Sequence, residues 1–134
     1  MILPNGATVA VVDGGRLRLF RNKGHEPHVD LVSLPDPEVG SGHAGSGTRH
    51  RSSTANPDDG RLKEDDFIAG AAKHLNAEVL AGRIQQLLVI ADPRSLGELR
   101  KHFHGTLTGR LVGEIGKDLS GQTDASIQSA IMAA

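Results

Sequence analysis

Between Pro35 and Asp65 the chain carries almost nothing that could enter a core. Of these 31 residues only Val39 and Leu62 are large and apolar, while five are Gly, four are Ser and three are Pro. Such a segment buries too little surface to offset its ordering entropy. A stretch of this length without regular structure is uncommon inside a compact domain unless it is functional or disordered. It is therefore expected to be a flexible Gly/Ser-rich loop over 35–65, and the fold must be assembled from its two flanks. Its charges are mixed: Arg49, Arg51, Arg61 and Lys63 stand against Asp36, Glu38, Asp58, Asp59, Glu64 and Asp65.

The leading flank reads as strands. Thr8–Val12 is short, apolar and β-branched, and it ends at Asp13-Gly14-Gly15, a tight-turn signal. Arg16–Arg21 follows, with Leu17 and Leu19 opposed to Arg16, Arg18 and, beyond Phe20, Arg21, the pattern of a strand with one wet face. Asn22-Lys23-Gly24 breaks it. His28–Leu34 alternates again. Together these predict a three-strand antiparallel meander.

The trailing flank alternates helix and strand. Asp65 and Asp66 suit a helix start, because carboxylates stabilise the positive end of the dipole. Ile68, Ala72, Leu75 and Val79 then form one apolar stripe, and Gly82 suits a C-terminal cap. Leu87–Ala91 is a continuous apolar run, as in a central strand covered on both faces. Asp92-Pro93 reads as N-cap and first helical position, opening a helix with Leu96, Leu99 and Phe103 inward and Gly105 at its end. Leu111–Ile115 fits either state: Leu111, Val112, Ile115 and Leu119 have helical spacing, while Gly113 and Gly116 oppose a helix. A last helix runs from about Asp124, with Thr123 as cap and Ile127, Ala130 and Ile131 on one side. The resulting order is β-β-β-(long loop)-α-β-α-β-α if 111–115 is a strand. That is an α/β fold with a mixed five-stranded sheet flanked by three helices. At 134 residues the chain is expected to form a single domain over 1–134.

Composition removes several function classes. The sequence has no Cys, so it can form neither disulfides nor a thiolate site. Its formal charge is −1, which gives no global field to draw in nucleic acid or an anionic membrane. Three Phe and no Tyr or Trp argue against a base-stacking platform. Met1–Gly6 has no signal-peptide character, and Leu87–Ile90 is the longest large-apolar run. Cytoplasmic residence without membrane insertion is expected.

Four features of the sequence bear on chemistry. Gly40–Ser53 combines glycines with Arg49, His50 and Arg51, and backbone N–H groups with cations can hold phosphate. It has no Gly-Lys-Ser/Thr and thus is no P-loop; the plainer reading is a linker with incidental charge. Arg94, Arg100 and Lys101 form the one basic group on a predicted helix. They suit phosphate contact or, more plainly, a solvated face on which Glu98 pairs with His102. The seven His residues lack the spacing of a metal site, since His102 and His104 cannot share a face of a helix. Asp13 could serve as a base or ligand, but a carboxylate there is the ordinary residue of a turn. No metal, cofactor or catalytic residue is assigned.

Four collinear stretches, 11–20, 75–83, 88–102 and 114–120, carry a resemblance. At Leu88-Val-Ile-Ala-Asp-Pro-Arg-Ser-Leu-Gly-Glu-Leu-Arg-Lys-His102 above all, the chain resembles the host attachment protein family. These are bacterial relatives of the archaeal and eukaryotic peptide-release factors and of the Pelota middle domain. The resemblance covers nearly the whole chain outside the 31-residue stretch. It departs from the family at Asp92, where a second proline is expected before Pro93. It implies a ribonuclease-H-like sheet and favours a strand at Leu111–Ile115. In release factors the loop between the early strands and the first helix carries Gly-Gly-Gln and enters the peptidyl-transferase centre. This chain has its glycine- and arginine-bearing stretch in that place but no Gly-Gly-Gln, so peptidyl-tRNA hydrolysis does not carry over. The expectation is a protein of uncharacterised, non-catalytic role that contacts the ribosome or structured RNA through residues 36–65. The contact candidates are Arg49, His50, Arg51, Arg94, Arg100 and Lys101. The alternatives are a protein-interaction or regulatory factor for surface or host-cell attachment and, last, a metal-dependent hydrolase.

Overall fold

A computed structural model describes residues 1–40 and 59–134. Five strands, β1 (Thr8–Val12), β2 (Leu17–Asn22), β3 (Leu31–Leu34), β4 (Leu87–Ala91) and β5 (Leu111–Gly116), form one sheet in the order β3-β2-β1-β4-β5. β1 pairs antiparallel with β2 and β2 with β3, while β1–β4 and β4–β5 are parallel. Four strands therefore run one way and only β2 runs the other. The C-terminal ends of β1, β3 and β4 meet at one end of the sheet, here termed the loop end.

The two central strands, β1 and β4, are buried along their full length, as continuous apolar runs require when both faces are covered. One face carries α1 (Asp59–Leu80) and α2 (Pro93–Arg100), packed on Ala10, Val12, Leu17, Leu19, Leu87 and Val89. The other carries α4 (Asp124–Ala133), whose Ile127 and Ile131 cover Val9, Val11, Phe20 and Ile90. The expected α1 stripe is buried, with Ile68, Ala72 and Leu75 fully so. Gly82 takes φ +80° just past α1, where only glycine is unstrained.

Several boundaries differ from the sequence reading. α1 begins at Asp59 and not at Asp65, so the last part of the expected 35–65 loop is helical. Residues 41–58 of that loop lie outside the described residues. The helix expected through His104 stops at Arg100, and Gly105 does not end it but begins a fourth helix, α3 (Gly105–Thr108). Among the described residues four helices therefore flank the sheet where three were expected. Asn76 explains the break, because its side chain donates to His102 O at 2.9 Å and accepts His104 N–H at 3.0 Å. These bonds hold the intervening backbone in a non-helical path. β3 starts at Leu31, three residues into the alternating run expected from His28.

The expected wet face of β2 is covered by α4. Phe20 and Asn22 are fully buried. Arg18 lies over the Phe20 ring and donates to Ser120 O, Gln122 O and Asp124 Oδ1 at the entrance to α4. Arg21 was expected opposite Leu17 and Leu19, but it shares their face, because residues 17, 19 and 21 have the same parity in a strand. At 111–116 the chain is a strand, with a register shift between Leu87 and Leu88 on its partner.

Candidate functional site at the loop end of the sheet

The loop end gathers the β1–β2 turn, the exit from β3, the start of α2 and the first turns of α1. Asp13 directs the turn: its Oδ1 accepts Gly15 N–H at 2.8 Å, and its own N–H donates to Arg16 O. Gly14 allows the turn to lie against α1, since a Cβ there would stand 2.7 Å from Glu64 Cγ. Across from it Asp92 caps α2, its Oδ2 accepting Ser95 N–H at 3.1 Å, with Pro93 at the first helical position. The residue that departs from the family's expected proline thus completes the helix cap. Burial opposes ionisation of Asp92, but hydrogen bonds from Ser95 and nearby backbone N–H groups outweigh it. Its pKa falls below the ordinary carboxylate value.

These groups line an open recess of about 540 Å³ containing Asp13, Glu64 and Asp92 with Arg16 and Arg94. Arg16 binds Asp36 at 2.8 Å, and Arg94 binds Asp65 at 2.6 Å with Glu64 at 3.8 Å. Carboxylates outnumber guanidiniums, so the recess itself does not attract an anion. The same pairs fix the two sides of the segment between β3 and α1: Arg16 holds Asp36 just after β3, and Arg94 holds the start of α1. Beyond Asp36 the chain crosses α1 at Gly70. A Cβ on Gly70 would fall 2.0 Å from Gly40 O, so only glycine permits the approach.

The six contact candidates are distributed as follows. Arg49, His50 and Arg51 lie outside the described residues. Arg94, Arg100 and Lys101 do not form one patch. Arg94 reaches α1, Arg100 makes a forked bond with Glu114 of β5 (3.1 Å from Nε and 2.7 Å from Nη2), and Lys101 turns back to Glu98 at 3.1 Å. His102 Nε2 lies 3.4 Å from Glu98 Oε2, the pairing its i,i+4 spacing suggests. The hydrogen bond from Lys101, reinforced by its charge and by His102, lowers the Glu98 pKa despite some desolvation.

Among the described residues no group of three or more His, Asp or Glu side chains is placed to hold a metal ion. Asp13, Glu64 and Asp92 share the recess but are engaged with the turn, with Arg94 and with the α2 cap. No described helix is long and apolar enough to cross a membrane. Sequence reasoning passed over Asn22. Its side chain donates to Leu3 O and Pro4 O and accepts Gly24 N–H and Asp30 N–H, joining three chain segments at the end of the sheet opposite the loop end. Placing a polar residue at the close of an apolar strand was the available signal.

Comparison with known families gives a match over residues 6–131 to the model of the bacterial archaeo-eukaryotic release factor family 12. The matched span runs from ahead of β1 to within α4. No curated protein matches the chain.

Proposed function

Because the chain belongs to the bacterial archaeo-eukaryotic release factor family 12, we propose that it acts on the translation machinery as a non-catalytic domain. It contacts the ribosome or structured RNA through the segment between β3 and α1. The observation that carries this reading is the anchoring of that segment at both of its sides on the loop end, through Arg16–Asp36 and through Arg94–Asp65. The residues on either side of this cation-bearing segment are held by these pairs, in the topological place where release factors carry their ribosome-entering loop. The loop end is acidic, so phosphate contact falls to Arg49, His50 and Arg51. The sequence contains no Gly-Gly-Gln, so the role is recognition and not peptidyl-tRNA hydrolysis. The same reading places the protein in the cytoplasm.

Co-sedimentation with ribosomes from the native cell tests the proposal. The protein is expected in the ribosomal pellet at low salt and in the supernatant at high salt, since contacts with phosphate release counterions. Arg49→Ala with Arg51→Ala is expected to shift it to the supernatant at low salt. A protein that never pellets, and binds no ribosomal RNA at low salt, sinks the proposal. Recovery in an extracellular or surface fraction would instead favour the attachment reading.

A further inference from the structure

We draw no further inference here: the strongest candidate, the apolar groove on the outer face of α1 floored by Ala69, Ala77 and Leu80 and walled by His102 and His104, is an unpartnered helix face, and nothing in the structure shows what covers it.

Discussion

The two ends of the sheet settle their charged side chains differently. At the loop end Arg16 and Arg94 both meet carboxylates, Asp13 closes its own turn and Asp92 caps α2. At the other end Asn22 makes four hydrogen bonds while its neighbour Arg21 leaves a buried donor unmade. The comparison shows that density of charge does not mark a binding surface. Paired charges hold the base of a segment in place. A donor left unpaired and closed off from water holds nothing in place and costs stability.

Substitutions at each end can break or sharpen this contrast. The largest effect is expected at Asn22. Asn22→Ala leaves the Gly24 and Asp30 N–H groups and the Leu3 carbonyl without their partner at a site that is buried to partly buried, and is expected to cost about 2–4 kcal/mol in chemical denaturation. Arg21→Met, one residue away, is expected to be neutral or stabilising, and an equal loss at both positions would erase the distinction. At the loop end Gly70→Ala is expected to cost about 1–3 kcal/mol, because the new Cβ meets backbone at Gly40 that must move. A neutral Gly70→Ala would mean that the 35–40 segment is not held against α1.

Smaller still is the α2 cap. Asp92→Ala is expected to cost about 1 kcal/mol near neutral pH. The Asp92 pKa is lowered in the folded chain, so its carboxylate stabilises the fold above the unfolded value, about pH 4. That contribution is lost as pH falls through the lower folded value. The gap between parent and variant should therefore narrow in denaturation curves as pH is taken progressively below the unfolded value of about 4. The smallest effect is expected at Arg94, in a partly exposed ion pair, where Arg94→Ala should change stability by less than about 1 kcal/mol. A larger loss would make the anchoring of α1 a principal support of the fold.

What the sequence revealed was local. The buried strands β1 and β4, the α1 stripe, the Asp92–Pro93 start of α2 and the Thr123 cap of α4 each follow from neighbouring residues. So does Glu98–His102, one helical turn apart. The misses were long-range. The polar side of β2 looked wet because nothing nearby in sequence reveals that α4 closes over Phe20 and Arg18. The early end of α2 depends on Asn76 reaching across from α1. The partners of Arg94 and Arg100 are 29 and 14 residues away, so those cations read as free in the sequence. The face of Arg21 was legible, since it continues the parity of Leu17 and Leu19, and a charge on an apolar stripe was the signal to follow. The strongest sequence candidates for contact, Arg49, His50 and Arg51, lie outside the described residues.

The most direct test of the ribosomal role is the salt dependence of binding to purified ribosomes, for the parent chain and for Arg49→Ala with Arg51→Ala. A plot of log binding constant against log salt concentration should be linear with a negative slope. The double variant should bind more weakly, with a slope shallower by about 1.5, as loss of two phosphate contacts implies. Binding that is independent of salt, or a slope unchanged by removal of both arginines, would contradict phosphate contact through this segment.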